Sequence, residues 1–474
     1  MSYTDFFAAL PIEIVSIFAL LVMLADAFVV RSTRLCATLS IVGLLAGIGA
    51  AVWTMLGDPV SGFNGMIRTG GAANVFDLIF CGAGIMTVLL ARDYLTRVGG
   101  MFDEFYTLMM MSIVGMMLMA HASDFMVLFV GLEIMSICFY VMAGLTRGEL
   151  PSNEASLKYF LLGAFASGFL LYGIALVYGA LGTTAYADMP TNIVRSQFPT
   201  LLWAGVALLI VGLAFKVAAF PFHQWAPDVY TGAPTVVTSF MSTAGKAGAF
   251  AGFVGFMLPM LTSGAPGVEQ ARTVLALIAA GSMLIGNLTA IAQTNVKRML
   301  AYSSIAHAGY LMIGLAAGNQ TGATGILYYL GAYLFMQLGA FAVVGMLERE
   351  HGGNLSIDDY RGLGRRRPGM AIIMALFMFS LVGLPPFAGF FGKYYLFMAA
   401  IRADMLWLTI VGVISSVISA WFYLGLIVTM YFREPETDAA MPAVGTTSRM
   451  ALALTIAGTL IVGLIPELII RAAR

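Results

Sequence analysis

The chain has 474 residues, 60% hydrophobic and 10% charged, with 24 basic and 24 acidic side chains and a mean hydropathy of +0.92. A soluble domain carries about 25% charged residues, so this composition excludes a soluble globular protein and a disordered chain. The cancelling charge leaves no basic footprint for a nucleic-acid partner.

A helix crosses the hydrocarbon core with about 20 apolar residues. Apolar runs of that kind predict spans at 11–30, 35–57, 72–91, 105–120, 123–146 and 155–181. Further spans are predicted at 199–220 with a broken continuation to 231, then 235–263, 271–292, 300–318, 323–347, 369–402, 404–432 and 448–471. The expected fold is therefore all-α and polytopic, with fourteen transmembrane helices. MSYTDFFAAL at the start has no basic stretch, so the first run reads as a span rather than a cleaved signal. With the N-terminus outside, the loops around Arg31, Arg92, Arg147, Lys297, Arg365 and Arg433 lie inside and hold fourteen basic residues. The outer side holds six: Arg68, Arg195, Arg272, Arg402, Arg471 and Arg474. The positive-inside rule then sets both termini on the periplasmic side.

Two spans are interrupted. The stretch FKVAAFPFHQWAPDVYTGAP carries Pro221, Pro227 and Pro234, and LVGLPPFAGFFGK carries Pro385, Pro386, Gly389 and Gly392. Proline removes a helical donor and clashes with the preceding turn, so both helices should break within the membrane, as in transporters. Helices 4–8 and 9–13 are each sets of five with the break in the fourth member. An odd number of spans reverses direction between copies, which is the pattern of inverted repeats. The expected organisation is helices 1–3 over 1–104, one repeat over 105–263, a second over 264–432 and helix 14 over 433–474.

Only five basic residues are lysines, and three of them, Lys216, Lys246 and Lys393, fall inside apolar spans, whereas all nineteen arginines lie in loops or at helix ends. A guanidinium stays charged in any protein, but a desolvated ammonium can release its proton. Glu133 lies mid-span in VGLEIMSICF. Each such residue costs roughly 2.5–3.5 kcal/mol at the bilayer centre, so these four must pair, line a hydrated path, or both. A structural ion pair accounts for Glu133 and one lysine and leaves the others unexplained.

Weaker candidates follow. Lys158 comes four residues after Glu154, so a surface pair competes with a relay role. His307 and His223 have side chains suited to proton transfer near neutral pH. Lys297 beside Arg298 reads as a topology signal, Glu13, Asp26 and Asp77 as interfacial residues near helix ends, and His121 and His351 as loop residues. Cys36, Cys81 and Cys138 are far apart, and the histidines share no ligand spacing. No bound metal or redox cofactor is therefore expected.

The stretches FKVAAFPFHQWAPDVYTGAPTVVTSFMSTAGKAGAF (215–250), AIAQTNVKRMLAYSSIAHAGYLMIGL (290–315) and LVGLPPFAGFFGKYYLF (381–397) resemble the antiporter-like subunits of respiratory complex I. Those are related in turn to subunits of multisubunit Na⁺/H⁺ antiporters and membrane-bound hydrogenases. The wording WAPDVYTGAP, lysine at both Lys246 and Lys393, and the end of the chain after helix 14 are most similar to the N type of bacterial NADH:quinone oxidoreductase. The resemblance implies a midplane proton path in which Glu133 pairs with Lys216, Lys246 connects and Lys393 ends the row. Lys158, His223 and His307 carry weaker implications. It also implies that NADH, flavin, iron–sulfur clusters and quinone are held by other subunits. The implied partners are other membrane subunits, including neighbouring antiporter-like ones, and lipids, in a bacterial inner membrane.

Overall fold

Without water to satisfy backbone groups, an apolar chain in a bilayer closes its hydrogen bonds within helices. The computed structural model follows this rule over the residues it describes, 3–29, 32–98, 102–349, 353, 355–435 and 442–472. Helices α1 (Tyr3–Phe28) and α2 (Thr33–Leu56) lead to a two-residue hairpin, β1 (Ser61–Gly62) with β2 (Ile67–Arg68). Then come α3 (Ala72–Arg97), α4 (Glu104–His121), α5 (Phe125–Ala143), α6 (Leu150–Leu181) and the short α7 (Met189–Arg195). The first broken helix is α8 (Pro199–Lys216) with α9 (Trp225–Gly232). The next combines α10 (Thr235–Phe240), a π-helical turn (Met241–Gly245) and α11 (Lys246–Leu261). Helices α12 (Val268–Ile291), α13 (Val296–Ala317) and α14 (Gln320–Leu347) follow, with a four-residue α15 (Leu363–Arg366) after them. The second broken helix is α16 (Pro368–Val382) with α17 (Ala388–Arg402), then α18 (Leu406–Phe432), α19 (Thr446–Leu464) and α20 (Glu467–Ala472).

Thirteen helices among the described residues are long and apolar enough to cross a membrane. The remaining expected span, 369–402, twelfth in chain order, is broken as expected into two helices of 15 residues each. The hairpin, α7, α20 and the π turn carry too few residues for hydropathy to announce them. Loops alternate between two ends: Ile67 bridges Ala122 and Asp124 bridges Ala185 at one, while Asn295 bridges Ser356 at the other. Of the charges counted for orientation, Arg31 and Arg474 lie outside the described residues, as does His351; for Arg471 only the backbone is described.

Helices α13 and α14 have 94% of their most apolar stretch buried inside the protein, against 39% for α6 and 33% for α18. The middle of the molecule is thus α13 and α14, with the broken helices packed on either side. Close crossings are made by glycine. A Cβ on Gly115 of α4 would lie 2.6 Å from the Gly131 carbonyl oxygen of α5, and one on Gly131 would lie 2.7 Å from that of Gly115. Neither position accepts a side chain, which lets the backbones meet.

Candidate functional site

Each expected break places one lysine. Helix α8 stops at Lys216, Ala218 takes a left-handed φ of 57°, and the chain is helical again only at Trp225, with Pro221 and His223 in the gap. Lys246 opens α11 directly after the π turn, a feature often found at functional positions in helices. The second break spans 383–387, with Pro385 and Pro386 inside it, and Lys393 lies six residues into α17. All three lysines are buried.

The Lys216 ammonium donates to the Tyr140 hydroxyl at 2.8 Å and lies 5.0 Å from the centre of that ring and 5.6 Å from Tyr159. Glu133 is on the same helix face, seven residues before Tyr140. Its Oε1 is buried without a hydrogen-bond partner, and no contact within 4.0 Å joins it to Lys216 among the described residues. The two therefore share a neighbourhood through Tyr140 rather than a direct ion pair. From Lys216 an aromatic run leads inward: Tyr159 stacks on Trp225 at 4.4 Å, and Trp225 meets Tyr230 edge-on at 5.8 Å.

Lys246 donates to both oxygens of Ser304, at 2.6 Å to the hydroxyl and more closely to the carbonyl, and lies 5.6 Å from the Tyr333 ring. Three residues along α13, His307 is held through Nδ1 by the Tyr329 hydroxyl at 2.6 Å and through Nε2 by Tyr423 at 3.1 Å. It stands within electrostatic reach of both Lys246 and Lys393. Lys393 lies over Tyr310 at 4.6 Å and donates to the Val382 carbonyl at 2.7 Å, the Leu381 carbonyl at 3.2 Å and the Ser416 hydroxyl at 2.8 Å. Those carbonyls are the last of α16, left open by the break. Lys246 and Lys393 thus have neutral oxygens and ring faces around their amines, with no carboxylate within ion-pair distance among the described residues.

The weaker candidates divide. His307 joins the row; Lys158 does not. Lys158 is half-exposed and ion-paired with Glu154 at 2.6 Å and Asp228 at 2.9 Å, and Asp228 also binds Arg298 at 2.7 Å. His223 sits beside Phe220 in the first break, its Nδ1 buried without a partner. Three sequence readings need correction. Asp77 is fully buried rather than interfacial, bonded at 2.8 Å to His121, which is the last residue of α4 and not a loop residue. Lys297 is buried in the first turn of α13, 4.0 Å from buried Glu348. Sequence reasoning missed Tyr140, Ser304, Tyr310, Tyr329 and Ser416; only Tyr140, seven residues after Glu133, had a visible signal. Among the described residues no group of three or more His, Cys, Asp or Glu could hold a metal ion.

Residues 122–419, which contain every member of the row, match the family described as NADH:quinone oxidoreductase/Mrp antiporter, transmembrane. The chain is 44% identical over 468 residues to NADH-quinone oxidoreductase subunit N of Trichlorobacter lovleyi, covering 98% of this chain and 95% of that one. It is 41% identical over 473 residues to the subunit N of Rhodospirillum rubrum, covering 98% and 96%. Among solved structures, a chain of respiratory complex I from Thermus thermophilus superposes with a TM-score of 0.83 at 35% identity over 97% of this chain and 98% of that one. A chain of the Mrp complex from Dietzia matches with a TM-score of 0.85 at 21% identity over 100% and 96%, a likeness of fold alone. The chain belongs to the NADH:quinone oxidoreductase/Mrp antiporter transmembrane family and, within it, to the NADH-quinone oxidoreductase subunit N family.

Proposed function

We propose that the protein is a proton-translocating membrane subunit of an NADH:quinone oxidoreductase and moves protons along Glu133, Lys216, Lys246, His307 and Lys393. The observation that carries this reading is the set of three buried ammonium groups held by hydroxyls, carbonyls and ring faces, with His307 between two of them. Desolvating an ion costs several kcal/mol, and a scaffold gains nothing from three such costs. Each lysine is the donor in bonds to neutral oxygens, and a neutral amine keeps two N–H groups to donate, so its third proton can leave without breaking an ion pair. Redox energy released in other subunits would reach the row as a change in the Glu133–Tyr140–Lys216 group. Glu133 nearer to Lys216 favours the ammonium; Glu133 withdrawn releases its proton toward Lys246 and Lys393. Moving one proton against about 150 mV costs roughly 3.5 kcal/mol, within what a buried charge pair can supply.

The two five-helix repeats over 105–263 and 264–432, the inner-membrane location with both termini on the periplasmic side, and lipids and neighbouring antiporter-like subunits as partners belong to the same reading. So does the assignment of NADH, flavin, iron–sulfur clusters and quinone to other subunits, with none bound here. A cation/proton antiporter subunit, with Na⁺ as cargo, is the rival; identity of 41–44% to subunit N relatives favours the redox assembly. The test is the proton-to-electron ratio and NADH:quinone rate in membranes carrying the Lys246→Met variant, at matched amounts of assembled complex. Translocation should fall with the ratio. Wild-type ratio and rate would remove the row from the proton path.

A further inference from the structure

Outside the row, one cluster of buried titratable groups remains unused. Lys297 and Glu348 face each other at 4.0 Å at the arginine-rich end, both nearly inaccessible to solvent. Lys297 also donates to the Ala233 carbonyl at 2.8 Å, and Thr235 donates its hydroxyl proton to Glu348 at 2.5 Å. The Thr235 amide donates to the Tyr94 hydroxyl at 2.9 Å. Tyr94, Ala233, Lys297 and Glu348 line a cavity of about 190 Å³ together with Glu149 and Thr231. Such a volume holds several water molecules.

Below the pair, polar groups recur toward Lys246 on three helices. Thr235 and Ser239 are one turn apart on α10, and a space of about 20 Å³ lies beside both, enough for about one water. The Ser239 hydroxyl and the Gln337 Oε1 are buried with no protein partner. Gln337 donates to the Leu300 carbonyl at 3.4 Å; Leu300 is one turn from Ser304, and Gln337 one turn from Tyr333. Ser304 and Tyr333 are the groups that hold Lys246. An orphaned buried hydroxyl and amide oxygen each cost about 1–3 kcal/mol unless water serves them.

We propose that Lys297 and Glu348 form the mouth of a proton inlet that opens at the arginine-rich, cytoplasmic end and delivers to Lys246. The proposal rests on the reading of Lys246 as a relay residue. At the mouth the Glu348 carboxylate takes the excess proton of a hydronium ion that enters the cavity from the cytoplasmic bulk, forming one O–H bond as a hydronium O–H breaks and leaving neutral water behind. The hydroxyls of Thr235 and Ser239 each accept a proton on oxygen and release their own, Gln337 orients the connecting water, and the last transfer forms N–H on a neutral Lys246. Lys297 holds Glu348 as the anion between transfers. The titratable neighbours facing Glu348 are Lys297 of α13, Tyr94 and Arg97 of α3, Tyr360 of the loop before α15, and Glu149 across the cavity.

The experiment uses whole complex in inside-out membrane vesicles with Glu348→Gln, Glu348→Asp, Gln337→Leu and Lys246→Met. Glu348→Gln should lower proton translocation about tenfold or more at alkaline external pH, with the deficit shrinking as the pH falls, as for loss of a proton-transfer group. Glu348→Asp should keep most of the rate. Formate, a weak acid small enough for the cavity, should restore Glu348→Gln but not Lys246→Met. Gln337→Leu, of similar volume and outside the ion pair, should slow translocation at every pH. A Glu348→Gln deficit that is independent of pH and untouched by formate would make the pair a structural clasp. Wild-type rates in both Glu348→Gln and Gln337→Leu beside an inactive Lys246→Met would sink the inlet alone; a wild-type Lys246→Met would sink the relay.

Discussion

Lys216, Lys246 and Lys393 are 6%, 2% and 4% exposed, and the separation of lysine from arginine along the chain anticipated this burial. What the sequence could not disclose is the partners. Tyr329 and Tyr423 reach His307 from α14 and α18, and Ser416 reaches Lys393 from α18; only tertiary packing brings them together. The expected Glu133–Lys216 pair is likewise modified by Tyr140, whose hydroxyl takes the lysine's hydrogen bond. Two predictions belong here. Lys216→Arg should lose nearly as much translocation as Lys216→Ala, about tenfold or more, because guanidinium keeps its charge but not a removable proton. Normal pumping by assembled Lys216→Arg would leave a structural cation. Glu133→Gln and Tyr140→Phe should each impair the rate, and their double variant should cost less than the summed losses, since they act on one ammonium. Strictly additive losses in the rate of coupled quinone reduction would show independent roles.

At the scale of elements, the two breaks were legible because proline and glycine alter backbone chemistry wherever they sit. The π turn before Lys246 was not, since MSTAG carries no breaker beyond Gly245. Nor was the way α16 and α17 are clasped. Lys393 donates back to the open carbonyls of Leu381 and Val382, and Gly389 lets the backbone of α17 lie against Ser380. A Cβ on Gly389 would overlap the Ser380 carbonyl oxygen, which is backbone and cannot turn aside. Gly389→Ala should therefore spread the break, at a cost of at least about 1–3 kcal/mol, and lower the amount of assembled complex in membranes. Gly425→Ala, on α18 where an added Cβ meets nothing within 4 Å, should leave assembly unchanged. Equal assembly of the two variants would show that the break tolerates widening. The clasp also makes Lys393 a positioning cation as well as a relay candidate, so Lys393→Arg must be read in assembled complex only.

Over the whole molecule, α13 and α14 lie between the two broken helices, and the polar row passes through them by way of Ser304, His307, Tyr329 and Tyr333. Hydropathy could give the spans and their count, but which helices would be central depended on packing that no periodicity records. The row places Lys216 at the first broken helix and Lys393 at the second, with Lys246 and His307 between. If these groups conduct in series, interrupting either end abolishes this subunit's share of translocation, and a second interruption removes nothing further. Lys216→Met, Lys393→Met and the double variant should then show the same reduced proton-to-electron ratio, a non-additivity expected of residues that act as one unit. Two independent routes, one per broken helix, would instead leave each single variant with part of the subunit's share and the double with none. The measurement is proton uptake per NADH oxidised in vesicles matched for assembled complex. A double variant clearly below both singles would replace the single row with two parallel paths.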